Sequence, residues 1–368
     1  MTTITLVEVY MLKIKISKII ILVLFIFTNT SCISNVSDKS TLVDVSQDEI
    51  CKKQNNKVVY PMKIKHNHGI TLIRKKPQRV AVYGVDKHDE DIVMALNIVP
   101  VAISGVNERK DIPKWQMEKL QELNAPKPAI LNYYIEWYPK AVQPYKPDVI
   151  LISDSELNGD ENYKKLSKIA PVIPFPDAAR RYTDTEIRNN RIAMECKIRL
   201  YSKVLGVPNR GERFMTKIYS TIKSSLKMHK NLKNKRIILV NFYLKPVAIN
   251  YSTKEDARAG FLYEIGLPEP SFVKIGLTNT TISAKDAISA FSDIDVFIPY
   301  NRSGLNADKI ASLQADQYAG QIPAIKTGRI VQFDQNNEDY SLISYAYPLS
   351  IPWGLNTYLD MIEKTSQK

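Results

Sequence analysis

Short apolar segments rich in β-branched residues alternate with helical segments along this chain, and that alternation constrains the fold most strongly. The candidate strands of the first half are RVAVYGV (79–85), VPVAIS (99–104), DVILIS (148–153) and PVIP (171–174). Those of the second half are RIILVNF (236–242), DVFIP (295–299) and RIVQF (329–333). Strands that alternate with helices favour a parallel sheet with helices on both faces, so we predict an α/β fold in two halves.

The region between the two halves is predicted to be helical. Apolar residues recur there at helical spacing, which predicts one helix over 184–205 that ends at Gly206. A second amphipathic helix is predicted over 212–229, and a closing helix over 352–362. The chain length of 368 residues is sufficient for two domains with separate cores.

The N-terminus has the pattern of an export signal. Lysines precede the apolar run 19–27, and small residues then lead to Cys32. The run is too short to predict a transmembrane helix. We therefore predict a lipoprotein-type signal peptide over 1–31, lipidation of Cys32 and a polar tether over 32–56. Asn29 stands where lipoprotein signals usually carry an apolar residue, so an ordinary signal peptide is the alternative.

Composition narrows the function further. The net charge is +13, which favours anionic partners, but the basic residues are scattered and export leaves little nucleic acid to bind. Three cysteines are too few for a disulfide scaffold, and a Cys51–Cys196 bridge stays open. His66 and His68 share one face of a predicted hairpin over 58–73, but a pair is too few for a transition-metal site.

The chain carries no recognisable catalytic motif. It contains no Gly-x-Ser-x-Gly, no phosphate-binding glycine loop and no His-Glu-x-x-His. We therefore expect a binding protein and not an enzyme, with no resident cofactor and no bound metal of its own.

Eight segments, in order, resemble the iron–siderophore substrate-binding proteins of bacterial ABC importers. They are IKHNHG, KKPQRVAVYG, ALNIVPVAIS, YKPDVILIS, KLSKIAPVIPF, GFLYEIGLPEP, DIDVFIP and IPAIKTGRIVQFD. The resemblance implies the class III fold, in which two Rossmann-like lobes are joined by a single long α-helix and close only modestly on a ligand. The implied domains are an N-terminal lobe over 57–183, an inter-lobe helix over 184–206 and a C-terminal lobe over 207–368.

Ligands of open α/β sheets lie beyond the carboxyl ends of the strands, where this chain carries aromatic and basic residues. The candidate ligand-binding residues are Tyr83, Lys87, His88, Arg180, Arg181, Tyr243, Arg258, Tyr300, Arg302 and Trp353. Arginine donates a planar fork to anionic chelate oxygens, and tyrosine and tryptophan supply flat apolar area. Each residue also fits an ordinary strand end, a solvated turn or the core. The choice between catecholate, hydroxamate and carboxylate ligands stays open.

Two lysines stand where the resemblance implies glutamates that dock onto the permease. They are Lys140, before the Lys-Pro-Asp motif, and Lys285, after Ile282-Ser283-Ala284. One hypothesis is that the docking charges are inverted, so that these lysines meet acidic residues of the permease. The alternatives are that Glu136 and Asp286 substitute locally, or that the lysines are unrelated surface residues.

Together these features predict a monomeric, lipid-anchored protein outside the cytoplasm, in the periplasm or on the cell surface. It captures a ferric siderophore and delivers it to an ABC permease. The same fold could instead bind haem, with Tyr83 or His88 as axial ligand, or cobalamin or ferric citrate. An adhesion or scaffold role is a further alternative.

Overall fold

The structure is a computed structural model that describes most of the chain after the predicted tether. The described residues are 57–83, 88–105, 112–132, 141–153, 157, 159–175, 190–253, 257–270, 279–300, 305–333, 339–340, 343 and 346–368, together with a short strand at 43–45. Structural statements below concern these residues.

A small three-stranded sheet precedes the first lobe. Strand β1 (Val43–Val45) pairs in parallel with β2 (Met62–His66), which forms an antiparallel hairpin with β3 (Gly69–Ile73). The hairpin predicted around Asn67-His68-Gly69 is thus confirmed. Alternate side chains of β2 are buried, because successive residues of a strand face opposite sides.

The first lobe is built on a parallel sheet, as the sequence predicts. Its strands are β4 (Val80–Val82), β5 (Ala102–Gly105), β6 (Ala129–Asn132), β7 (Val149–Ser153) and β8 (Val172–Phe175). Their order is β6-β5-β4-β7-β8, and every neighbouring pair is parallel. The described helices of this lobe are α1 (His88–Ala95), α2 (Lys114–Glu122) and α3 (Asp160–Ser167).

Two packed helices connect the first lobe to the second. Helix α4 (Asn190–Val204) ends at a turn through Gly206, and α5 (Pro208–Met228) leads on to the second sheet. A Cβ on Gly211 would lie 2.6 Å from the Ser202 Oγ, so the two helices approach closely there. The end of α5 leads to the second sheet, so both helices lie between the two sheets in the sequence.

The second sheet is mixed, which the sequence does not predict. Its strands are β9 (Ile237–Leu244), β10 (Val247–Ser252), β11 (Asn279–Ser283) and β12 (Val296–Pro299). Strands β9 and β12 are parallel, whereas β10 pairs antiparallel with both β9 and β11. The strand predicted over 329–333 is reduced to one isolated bridge between Ile330 and Phe297.

Helices cover the second sheet and close the chain. They are α6 (Ala257–Glu264), α7 (Ala284–Ala290), α8 (Ala307–Ala315), α9 (Pro323–Lys326) and α10 (Ser350–Ser366). Short 3-10 turns lie at Gln143–Tyr145, Lys230–Asn234 and Ala319–Gln321. Helix α10 packs along α5, so the last helix and the connecting helix form one layer.

One apolar cluster runs through both lobes. It includes Leu151 of the first sheet, Tyr201 of α4, Ile218 of α5, Leu239 of the second sheet and Tyr358 of α10, each fully buried. Close-packed protein interiors resist shear, because moving one layer against another would open voids. The shared core therefore favours a stiff relation between the lobes.

Candidate functional site

Polar groups are buried at the start of α1, which is the first described helix after β4. Asp89 is fully buried and forms an ion pair of 2.8 Å with Lys197 of α4. Its carboxylate also accepts hydrogen bonds from the Ser153 hydroxyl at 2.9 Å and the Tyr201 hydroxyl at 3.0 Å. Ser153 ends β7, so the network joins the carboxyl edge of the sheet to α4.

The Lys197 ammonium completes this network. It donates to the Ser153 Oγ at 2.9 Å and lies 5.2 Å from the centre of the Phe175 ring at the end of β8. A cation over an aromatic face is stabilised by the ring quadrupole. The amphipathic pattern places Lys197 on α4 but gives no sign that it is buried.

Asp91, two residues after Asp89 on α1, connects the two lobes. Its Oδ1 accepts the Trp115 indole N–H at 2.9 Å and the Gln116 amide at 2.7 Å, both from α2. Its Oδ2 accepts the backbone N–H of Leu349 at 2.9 Å, immediately before α10. In a second inter-lobe bond the carboxylate belongs to the other lobe: Asp339 accepts the Lys114 N–H at 3.1 Å.

Burial controls the electrostatics of Asp91. Removal of the carboxylate from water raises its pKa to about 6, and the hydrogen bonds from Gln116, Trp115 and Leu349 offset part of that effect. The nearby His88 also lowers the pKa of Asp91. The Asp91 carboxylate therefore takes up a proton at a higher pH than an exposed aspartate does.

An aromatic cluster lies between the lobes beside these carboxylates. The Tyr347 ring contacts His88 edge-on at 4.8 Å and stacks on Trp115 at 6.0 Å. Trp353 lies 5.7 Å from Trp115 and stacks on Tyr340 at 4.6 Å. His88 and Trp115 come from the first lobe and the other three rings from the segment around the start of α10.

A groove of about 440 Å³ adjoins this cluster. Trp115, Trp353, Leu349 and Phe214 supply its apolar wall, and charged side chains from α2 and α5 supply the rest. The charged lining residues are Glu118, Lys119, Glu122, Arg210, Arg213 and Lys217. Its wall includes residues at the C-terminal end of α1 and along α2. The groove therefore lies beside the carboxyl ends of the first-sheet strands and not directly beyond them.

The structure differs from the sequence prediction most clearly at Tyr83. Its side chain is 1% exposed and packs among Ala81, Leu131 and Ile150 in the core of the first lobe. An aromatic residue at the end of a central strand is accommodated there because helices cover both faces of the sheet.

Four other predicted residues lie in different settings. His88 and Trp353 are half-buried members of the aromatic cluster. Tyr300 follows β12 and donates its hydroxyl to the Asn250 side chain of β10. Tyr243, near the tip of the β9–β10 hairpin, is 47% exposed.

The remaining predictions lie outside the described residues. They concern Lys87, Arg180, Arg181, Arg302, Lys140 and Cys32. Arg258 belongs to α6, but its side chain is also outside the described part. Lys285 is exposed in the first turn of α7, which Ser283 caps through the Asp286 N–H at 3.2 Å.

The histidine pair has a structural role in the described part of the chain. His66 bonds the Thr71 hydroxyl at 2.8 Å, and His68 pairs with Asp160 and stacks on Tyr163 at 5.2 Å. Within the described ranges, no three His, Cys, Asp or Glu side chains converge as a metal site would require. No helix of those ranges is both apolar and long enough to span a bilayer.

Cys196 of α4 is disulfide-bonded and almost fully buried. The other cysteines of the chain are Cys32 and Cys51, both outside the described residues.

Sequence reasoning missed Asp89, Asp91, Trp115 and Lys197. The acidic run Asp89-Glu90-Asp91 at a helix start is usually a solvated first turn that complements the helix dipole. All three residues are buried here. Their adjacency to a strand end was the available signal.

Comparisons with known proteins agree with this architecture. The family model described as "Periplasmic binding protein" matches residues 140–336. The ferric-anguibactin-binding protein FatB of Vibrio anguillarum is 33% identical over 115 residues, which is 31% of this chain and 32% of that protein. The alignment thus spans about a third of this curated relative.

Solved structures match over a larger share of the chain. The iron uptake ABC transporter substrate-binding protein PiaA of Streptococcus pneumoniae, in complex with ferrichrome, has a TM-score of 0.64 at 28% identity, covering 83% of this chain and 98% of its own. A periplasmic solute-binding protein of Mycobacterium smegmatis has the same TM-score and the same coverage at 18% identity, which supports the fold alone. With two α/β lobes, a shared core and a matching family model over more than half its length, the chain belongs to the periplasmic binding protein family.

Proposed function

We propose that this chain is a non-enzymatic, extracytoplasmic binding protein that captures a ferric siderophore and delivers it to the permease of an ABC importer. The observation that carries the proposal is the similarity to ferrichrome-bound PiaA over 83% of the chain. The partial match to a ferric-anguibactin-binding protein supports the same ligand class.

The inter-lobe aromatic cluster suits such a ligand. A ferric siderophore surrounds its metal with an organic shell, so the protein needs flat apolar surface and donors for chelate oxygens. Tyr347, His88 and Trp353 provide rings of that kind. The predicted basic residues Lys87, Arg180, Arg181, Arg258 and Arg302 would add donors for an anionic chelate, and Tyr243 and Tyr300 would complete the second wall.

Membrane attachment is proposed through a lipid on Cys32. A lipoprotein lipid is joined through the cysteine sulfur, so a lipidated Cys32 cannot also form a disulfide. Because Cys196 is disulfide-bonded, this proposal requires Cys51 as its partner. A disulfide is itself in keeping with an oxidising compartment outside the cytoplasm.

The exposed Lys285 is proposed to contact the permease together with Lys140. Asp286 is occupied in the helix cap, where the Ser283 hydroxyl donates to its carboxylate at 2.6 Å. That hydrogen bond occupies one carboxylate oxygen of the exposed Asp286, which makes it less available as a substitute docking charge.

Haem is a weaker candidate ligand. An axial ligand must present its donor atom to the iron, and the 1% exposure of Tyr83 argues against that role for its hydroxyl. His88 remains, but its ring packs against Tyr347.

Tryptophan fluorescence tests the proposal, because Trp115 and Trp353 lie in the aromatic cluster. Purified chain is titrated with ferric catecholate, hydroxamate and carboxylate complexes of different charge, and with haemin as a comparison. We expect saturable quenching by at least one ferric chelate, strongest for anionic ones, and no Soret shift with haemin. Quenching by haemin alone would reject the siderophore assignment.

A further inference from the structure

A short segment of the second lobe is attached to the first lobe at both of its ends. We name this segment the strap; its described residues are Asp339, Tyr340, Ile343, Ala346, Tyr347, Pro348 and Leu349. At one end the Asp339 carboxylate accepts the Lys114 N–H at 3.1 Å. At the other end the Leu349 N–H donates to Asp91 at 2.9 Å. Each lobe therefore supplies one carboxylate acceptor and one backbone N–H donor to the other lobe.

The strap is also packed tightly between those bonds. Tyr347 contacts His88 and Trp115 of the first lobe, while Ile343 is fully buried in the shared core. A Cβ on Gly354 of α10 would lie 3.0 Å from Tyr340 and 3.1 Å from Ile343. The absence of a side chain at this position of α10 lets the strap lie directly on the helix.

We propose that Asp91 is a positioning residue for ligand binding: through Leu349 it holds the strap, and with it the second lobe, in a fixed position against the first lobe before any ligand arrives. This presets the width of the cleft and keeps Tyr347 beside His88. The predicted effect on ligand affinity rests on the proposed function, whereas the predicted effect on the position of the lobes does not.

The two oxygens of Asp91 have separate tasks, which makes a selective variant available. Oδ1 accepts from Trp115 and Gln116 within the first lobe, and Oδ2 accepts from Leu349 across the lobes. In Asp91→Asn the remaining oxygen can keep the bonds to Trp115 and Gln116. The new NH2 group then faces the Leu349 N–H, and two donors cannot bond. The variant thus removes the inter-lobe bond and spares the others.

The matched control is Gln116→Met. It removes a bond to the same carboxylate, and a longer one of 3.3 Å to Glu90, both within the first lobe, and leaves the Leu349 bond in place. Asp339→Ala provides a second inter-lobe variant at the other end of the strap, since it removes the oxygen that accepts the Lys114 N–H.

The first arm measures the ligand-free protein. Nitroxides are attached through p-acetylphenylalanine at the exposed positions 127 of the first lobe and 292 of the second, and their distance distribution is measured by pulsed electron paramagnetic resonance. We expect a single narrow distribution for the wild type and for Gln116→Met. Asp91→Asn should broaden it, with far-UV circular dichroism unchanged, and Asp339→Ala should broaden it in the same direction. An Asp91→Asn distribution equal to wild type, or equal broadening in Gln116→Met, would overturn the proposal.

The second arm uses as its probe the ferric chelate of the fluorescence panel that binds the wild type most tightly, with ferrichrome included in that panel. We expect Asp91→Asn to weaken its binding about tenfold, because part of the binding energy is now used to order the lobes. Broadened distances with unchanged affinity would overturn the positioning role. Failure of the wild type to bind any ferric chelate would instead reject the proposed function, while the distance measurement still decides whether Asp91 holds the lobes.

Discussion

The Lys197 ammonium lies 2.8 Å from the Asp89 carboxylate, and together they join α4 to the start of α1 at the carboxyl edge of the first sheet. The Lys197 side chain is 10% exposed and that of Asp89 1% exposed. Because water is almost excluded, neither charge can be removed without leaving the other uncompensated.

Replacing one member of this pair should therefore be costly. We expect Lys197→Met to lower the free energy of unfolding by about 3–5 kcal/mol, measured by urea denaturation. The double variant Asp89→Asn/Lys197→Met should recover much of that loss, since no buried charge remains. Lys165→Ala, which breaks the exposed Lys165–Glu161 pair, is the control and should cost less than about 1 kcal/mol. Equal losses in the free energy of unfolding for Lys197→Met and Lys165→Ala would contradict this explanation.

The raised pKa of Asp91 gives stability a defined pH dependence. The folded pKa of about 6 exceeds the ordinary value of 3.8, so the folded state holds the proton more tightly than the unfolded chain. The Asp91 contribution to stability is thus largest at low pH, falls as pH rises from about 4 to about 6, and is constant above that.

The wild type should accordingly lose about 3 kcal/mol relative to Asp91→Asn across that range. The charged neighbours on the same helix are His88 and Glu90, whereas α2 and the strap supply the neutral donors Trp115, Gln116 and the Leu349 N–H. Chemical denaturation of both proteins between pH 4 and pH 7 measures the difference. Parallel pH profiles would show that Asp91 does not titrate as stated.

The disulfide at Cys196 can be assigned by peptide mapping without reduction. We expect a Cys51–Cys196 peptide and, in protein isolated from membranes, a lipid on Cys32. Cys196→Ser should cost about 4 kcal/mol of stability, because the crosslink closes a long loop. A Cys32–Cys196 peptide would instead exclude lipidation at Cys32.

If Lys140 and Lys285 dock onto the permease, changing them should alter uptake and leave siderophore binding intact. The variant Lys140→Glu/Lys285→Glu should reduce uptake through the native permease at least about tenfold, because like charges would meet at the interface. Affinity for the ferric chelate should not change. Lys326→Glu, an exposed charge reversal elsewhere in the second lobe, is the control. Normal uptake by the double variant would reject the inverted-charge hypothesis.

Four of the five strands of the first sheet could be predicted from the sequence, because they form continuous apolar runs. RVAVYGV and DVILIS supplied β4 and β7 in this way. The edge strand β6 was missed; it is short and its Ile130 is 41% exposed. Strands β10 and β11 were missed, since they contain polar residues such as Asn250, Thr280 and Thr281. The antiparallel pairing that defines them is a tertiary property.

The candidate site was less predictable than the fold. Position near a strand end selected His88, Tyr83 and Tyr243 alike as candidates, but could not tell the buried Tyr83 from the exposed Tyr243. Asp91 and Leu349 are 258 positions apart in the chain, and local spacing carries no information about such a contact.

Calorimetric titration of the purified chain with ferric and iron-free forms of the same siderophores tests the central claim most directly. The account predicts that at least one ferric complex binds with one-to-one stoichiometry and a Kd of about 1 µM or tighter, and that its iron-free form binds far more weakly. Absence of binding by every ferric complex, from a folded and monodisperse sample, would contradict it.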